Sequence, residues 1–242
     1  MHYSKGVALN IEPYNSYQLD HIGVMASILG FDLLTTEEAS WQICRKYYPD
    51  VSVFIINNRE VILEQLVQRY KAIIYSCFWP KDKDDRLLCH TTKARTIFCP
   101  HGYSDKGIDL DDYFERLKGE DIALVYGDRL RLVFETKGLL DQIATTIDVG
   151  NYRYEYYKQH QHFYDTIIAD QLLSTLPSAA ANILYAPTWQ WTDEQPTVIQ
   201  HALPLLVDNL PDHYNLIIKI HPYVKRYRLG HYYTLLGQYE SL

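Results

Sequence analysis

The sequence predicts an α/β protein with a mostly parallel sheet. Three observations carry that reading. Short apolar runs alternate with helical stretches, which is the pattern of βαβ units. The runs are continuously apolar rather than alternating, as expected where helices cover both faces of a sheet. At 242 residues, with 47% hydrophobic and 22% charged content, the chain has the make-up of an ordinary globular protein of one large or two small domains.

The elements follow in order. Gly6 to Ile11 forms a short strand, Asp20 caps a helix over 21–29, and Gly30 stops it. Phe31 to Thr35 is a strand, Glu37 to Tyr48 a helix ended by Pro49, and Val51 to Ile56 a β-rich run closed by Asn57-Asn58. A helix over 60–70 leads into a strand over 71–78. Strands over 94–99, 122–126 and 145–149 continue the series, with helices over 109–118 and 128–142. A long polar stretch, Arg153 to Thr175, is helical, and Ser174 to Ala181 is the most linker-like segment. A second series then begins: strand 182–187, helix 196–209, strand 215–220, helix 229–239. Two parallel strands do not make an independent domain with both faces covered, since sheets usually hold about 4 to 6 strands. Either this part docks onto the first sheet or the chain is an incomplete version of a two-domain protein; the second is the expectation, with domains drawn at 1–150 and 151–242.

Composition excludes several classes of function. The net charge is −7, from 23 basic and 30 acidic residues, which argues against nucleic-acid binding. Lys225-Arg226-Tyr227-Arg228 is a local basic exception that suits a phosphate or an anionic lipid surface, although three such charges are usually just solvated. The four cysteines, Cys44, Cys77, Cys89 and Cys99, lack zinc spacing, and Cys77 and Cys99 read as buried small hydrophobes of a reducing compartment. No signal peptide is legible, and no apolar run reaches the roughly 18 residues of a membrane helix. Most of the 22 tyrosines are expected to pack. His160-Gln161-His162 lacks acidic partners, so no metal is expected there or elsewhere.

The candidate chemistry sits at strand ends, where open α/β sheets bind their ligands. Four such ends read as the rim of one site. His101-Gly102-Tyr103-Ser104-Asp105-Lys106-Gly107 follows the strand over 94–99. Its glycines allow backbone N–H groups to approach an anion, His101 is suited to take a proton from a hydroxyl, and Lys106 to offset phosphate charge. A plain turn with surface His and Lys explains the same residues. Ile217-Ile218-Lys219-Ile220-His221-Pro222 leaves its strand abruptly, because proline cannot donate to a ladder. His221 then either holds a pyrophosphate or is a structural histidine with a backbone partner. Gly150-Asn151-Tyr152-Arg153 offers a guanidinium for phosphate. Ala186-Pro187-Thr188-Trp189-Gln190 offers a hydroxyl at Thr188 and a stacking wall at Trp189. No Walker A loop, G-x-G-x-x-G, G-x-S-x-G or H-E-x-x-H occurs.

On these residues the chain resembles the CDP-glycerol glycerophosphotransferase family, the teichoic-acid primases and polymerases of the GT-B fold. The shared blocks, in order, are His101-Gly102 with Lys106, Val125-Tyr126-Gly127, Gly150-x-x-Arg153, Ile183 to Trp189, and Ile218 to Pro222. The resemblance implies a GT-B-like fold of two Rossmann-like domains, acceptor side first and nucleotide side second. It implies His101 as the base on an acceptor hydroxyl, and His221 at the donor pyrophosphate with Lys219, Arg153 and Thr188. Gly102, Lys106, Gly150, Pro187 and Trp189 are supporting residues. The implied reaction moves glycerol phosphate, or a related polyol phosphate, from a CDP-alcohol to a polyol or lipid-linked acceptor and releases CMP, with no cofactor. Such an enzyme would be cytoplasmic, with peripheral contact at the inner face of the membrane. Three departures stand out. Tyr152-Arg153-Tyr154-Glu155 replaces the family's Pro-Arg followed by Asn-Asp, Gln190 replaces an arginine, and no Asp-Tyr-Ser-Ser segment follows His221-Pro222 before Leu242. A non-catalytic truncated homologue, or another sugar-nucleotide enzyme of the same fold, remains the alternative expectation.

Overall fold

β1 (Gly6–Asn10) is buried at all five positions, the outcome of an apolar run with a strand on each side. It pairs in parallel with β2 (Asp32–Thr35) on one side and β4 (Ala72–Tyr75) on the other. β3 (Val53–Ile55), β5 (Arg95–Phe98), β6 (Ile122–Val125) and β7 (Thr145–Asp148) complete a seven-stranded sheet, ordered β3-β2-β1-β4-β5-β6-β7. Every pairing is parallel. The order reverses between β1 and β4, the topological switch point of a doubly wound sheet. The computed structural model describes residues 5–11, 16–56, 62–76, 93–100, 117–188, 198–221 and 230–237.

Helices cover the sheet as the pattern required. α1 (Leu19–Leu29) buries Leu19 and six consecutive residues from His21 to Ala26, and Gly30 ends it at φ 63° with its N–H reaching Ala26 O and Ser27 O. Left-handed glycine is the common helix stop. The start differs from the expectation: a 3-10 turn, Ser16–Gln18, precedes α1, and Asp20 lies in its first turn rather than capping it. α2 (Glu38–Tyr47) and α3 (Ile62–Arg69) follow. α4 (Asp128–Thr136) is shorter than the 128–142 expected, because Gly138 turns left-handed at φ 63° and Leu139 N bonds back to Phe134 O. The main core lies on one face of the sheet, where Val7, Leu9, Leu34, Ile73, Tyr75, Phe98 and Val125 meet Leu66, Val67, Leu130, Val133 and Phe134.

The polar stretch after β7 is two helices, not one. α5 (Tyr152–Gln159) and α6 (Gln161–Gln171) break at His160, whose Nδ1 donates to Tyr156 O at 2.9 Å and whose ring stacks on Tyr156 at 4.1 Å. The chain divides into two units here, Met1–Gln161 and His162–Leu242. In the second, β8 (Ala181–Tyr185) pairs in parallel with β9 (Tyr214–Ile218). α7 (Val198–Asn209) and α8 (Gly230–Gly237) belong with them. Ile199 and Leu203 of α7 are fully buried against Tyr185, Leu216, Ile218, Ile220, Leu235 and Leu236. The expected linker is partly built in: Leu173–Thr175 is a 3-10 turn, and Asn215 Nδ2 donates to Pro177 O at 2.8 Å. Among the described residues no helix is long and apolar enough to cross a membrane.

Candidate functional site

In the first unit, two of the singled-out strand ends are described. Cys99 N donates to Tyr75 O at 2.8 Å, so the ladder between β4 and β5 runs one residue past Phe98. Cys99 and Pro100 are both buried there. His101, Gly102 and Lys106, which come next, lie outside the described residues, as does Trp189. At the second end, Val149 N donates to Val125 O and Gly150 turns the chain at φ 56°. Nothing would meet a Cβ at Gly150, so the glycine serves the backbone angle and not a close approach. Asn151 then caps α5, its Oδ1 accepting from Tyr154 N at 3.4 Å. The turn and cap together put Arg153 in the first turn of α5.

Arg153 meets a carboxylate there. Its Nη1 donates to Asp20 Oδ2 at 2.6 Å. The other oxygen of Asp20 lies 3.5 Å from His21 Nε2. His21 is buried, and its Nδ1 is 3.2 Å from the Tyr126 hydroxyl and 3.3 Å from that of Tyr152. The two hydroxyls are 3.3 Å apart, and Cys99 Sγ is 3.4 Å from Tyr152 and 3.8 Å from Tyr126. A continuous polar line therefore runs from an exposed ion pair to a buried thiol: Arg153, Asp20, His21, Tyr126 with Tyr152, Cys99.

Burial sets the charge state of its inner end. It pushes the Cys99 thiol up to about 11, outweighing the opposing hydrogen bonds from Tyr152 and Tyr126. Burial likewise raises both tyrosines far above the usual phenol range, with the Cys99 thiol adding to the effect. All three groups are neutral hydrogen-bonding partners near pH 7, and Cys99 is no thiolate nucleophile. What the line does mechanically is fix the His21 ring and aim Asp20 at Arg153. Sequence reasoning read His21 only as a helix residue. The available signal was a histidine near the start of a largely apolar helix, which becomes informative only once α1 is known to be buried from His21 to Ala26.

In the second unit, the two strand ends are neighbours. Tyr185 pairs with Ile218, and Lys219 N donates to Tyr185 O at 3.0 Å, so the parallel ladder runs one residue past Ile218. Pro187 is buried, Thr188 and Lys219 are exposed, and His221 is half-buried. Thr188 and His221 each follow their strand by three residues, so the hydroxyl, the ammonium and the imidazole leave the same edge of one sheet. Of the four expected strand ends, those after β5 and β7 belong to the first unit and those after β8 and β9 to the second.

No protein-family model matches the chain, and no curated protein matches it. Solved structures do. A variant of the wall teichoic acid polymerase TagF matches with a TM-score of 0.51 at 13% identity, over 90% of this chain and 56% of that one. The same polymerase soaked with CDPG gives a TM-score of 0.50 at 14% identity, over 90% of this chain and 55% of that one. UDP-N-acetylglucosamine 2-epimerase from Rickettsia bellii matches with a TM-score of 0.49 at 12% identity, over 93% of this chain and 64% of that one. The chain spans a little over half the length of the polymerase structures. The likeness to TagF and the seven-stranded parallel sheet agree on the architecture: the fold is GT-B-like, built from Rossmann-like parallel sheets.

Proposed function

We propose that this chain carries out, as part or whole of its protein, the transfer of a glycerol-phosphate or related polyol-phosphate group from a CDP-alcohol to a hydroxyl acceptor, with release of CMP. The observation that carries the reading is that Pro187-Thr188 and Lys219-Ile220-His221 follow the carboxyl ends of two strands paired in parallel, in a fold shared with TagF. Phosphoryl transfer depends on positioning and on offsetting phosphate charge, and needs no covalent intermediate from the protein. His221, Lys219 and Thr188 hold the donor phosphates in this reading, and Pro187 and Trp189 shape that edge. His101 takes the proton from the acceptor hydroxyl, with Gly102 and Lys106 in the same loop. Arg153, set by Gly150 and aimed by Asp20, meets phosphate charge at the edge of the first sheet. The acceptor side belongs to the N-terminal domain and the nucleotide side to the C-terminal one.

The test is CMP release from CDP-glycerol in the presence of a polyol or lipid-linked acceptor. Release that falls by about 10²–10⁴-fold in His101→Ala supports the reading, the loss typical of removing a general base. A melting temperature raised by CDP, and not raised in His221→Ala, supports the donor half independently. No release with any CDP-alcohol, together with a shift given by UDP-sugars and not by CDP, overturns it in favour of a sugar-nucleotide enzyme.

A further inference from the structure

One rung of the large sheet is polar where its neighbours are apolar. Side chains alternate across a strand, and residues in register on parallel strands share a face. Leu34, Leu9, Tyr75 and Phe98 form one such rung and belong to the main core. One step further along, on the opposite face, come Thr35 and Asn10, which pair in register at the ends of β2 and β1, and Ser76 and Cys99, the first residues after β4 and β5. All four are buried, at 0%, 3%, 1% and 0% exposure. The outer two have partners: Thr35 Oγ1 accepts from Glu37 N at 3.2 Å, and Cys99 Sγ meets the Tyr152 hydroxyl. Among the described residues, both atoms of the Asn10 amide and the Ser76 hydroxyl have none. Each directly follows a residue of the last β1–β4 pair, Leu9 with Tyr75, at the topological switch point.

Buried polar groups left unmatched are costly, and each one in a native protein calls for an explanation, a bound water or ligand among them. The chemistry of the pair narrows the ligand. The amide offers an acceptor and two donors, and the hydroxyl offers a donor and two acceptors. A phosphate or carboxylate presents acceptors only and would leave Asn10 Oδ1 facing another oxygen. No charged side chain sits in the rung to offset an ion. Adjacent hydroxyl groups, each able to donate and accept, match all the open positions.

We propose that Asn10 and Ser76 form a subsite for a neutral polyol, gripping adjacent hydroxyls of an alcohol substrate. The assignment of that alcohol as the acceptor rests on the proposed function; the binding itself does not, and it is tested without a donor. Ligand-observed NMR, with saturation transferred from the protein, reads binding of glycerol and of 1,3-propanediol, which lacks the middle hydroxyl. The expected result is saturable millimolar binding of glycerol and much weaker binding of the diol. Ser76→Ala should weaken glycerol about five- to tenfold, the scale of one lost hydrogen bond, while leaving the melting temperature unchanged or higher. Absence of saturable glycerol binding overturns the proposal, as does Ser76→Ala binding glycerol unchanged. A melting temperature lowered in Ser76→Ala with binding intact assigns the pair to a buried structural water instead. Should Ser76→Ala fail to fold, Asn10→Ser is read the same way. Glycerol binding that depends on Ser76, without CMP release from any CDP-alcohol, removes the proposed function and keeps this inference; the opposite pair of results does the reverse.

Discussion

Arg153 donates from Nη1 to Oδ2 of Asp20 at 2.6 Å, joining the first turn of α5 to the first turn of α1 across 133 residues of chain. The pair is half open to solvent, with side-chain exposures of 42% and 53%. Its energy in water is correspondingly small, and exposed pairs are typically worth about 0–1 kcal/mol. Asp20→Asn should therefore lower the unfolding free energy measured in urea by no more than that amount. The same variant should weaken CDP-alcohol turnover more than it weakens folding, because Arg153 loses its orienting partner. Equal turnover in Asp20→Asn and the parent chain would remove Arg153 from the phosphate-binding role.

The buried thiols give a pH dependence with a definite sign. Burial raises Cys99 to about 11 and Cys44 to about 12, from an ordinary value of 9.0. The folded state thus holds protons that the unfolded chain releases above pH 9. Their contribution is fully present below pH 9 and is lost as pH rises toward 11 and 12, at about 1.4 kcal/mol per pH unit for each thiol. Urea unfolding at pH 8, 9 and 10 should show a flat step and then a fall. Cys99→Ala should make the fall shallower.

Tyr152→Phe removes a hydroxyl that meets His21, Tyr126 and Cys99 at 3.3–3.4 Å. The ring keeps its packing, and Tyr126 still reaches His21. The expected cost is about 1 kcal/mol, the ordinary net value of a buried hydrogen bond. Equilibrium unfolding in urea measures it. A cost near zero would mean that the hydroxyl cluster is idle in stability.

Gly23 sits inside α1, where alanine ordinarily gains about 1 kcal/mol. Here a Cβ would lie 2.7 Å from Cε2 and 2.8 Å from Cδ2 of Tyr48. That ring is 7% exposed and lies against Tyr156 at 6.2 Å between centroids. It has little room to retreat. Gly23→Ala should destabilise by about 1–3 kcal/mol, the range for overpacking, and thermal unfolding would show the drop.

Legibility followed the physics of each element. β1 and β2 were plain in the sequence because strands buried on both faces must be apolar throughout, and the alternation with helices fixed their parallel sense. β7 was read from the same kind of run, yet it is an edge strand with Ile147 42% exposed, and its burial was not legible. Asp20 was read as a cap from local rules, and its tie to Arg153 depends on a contact that no local rule contains. The strand ends carrying Gly150, Thr188 and His221 were found from turn chemistry, which is local. The Asn10 and Ser76 rung was not, because β1 and β4 are neighbours only through the reversal of strand order.

β1 is hydrogen-bonded along both edges, and the helix that follows it is buried for nearly two turns. Amide protons in such a strand exchange with solvent only when the whole unit opens, whereas those of edge strands exchange through local fraying. Asn10 ends that strand. Its carboxamide therefore hangs from a strand held on both edges, and any molecule it grips must adapt to the protein rather than the protein to it.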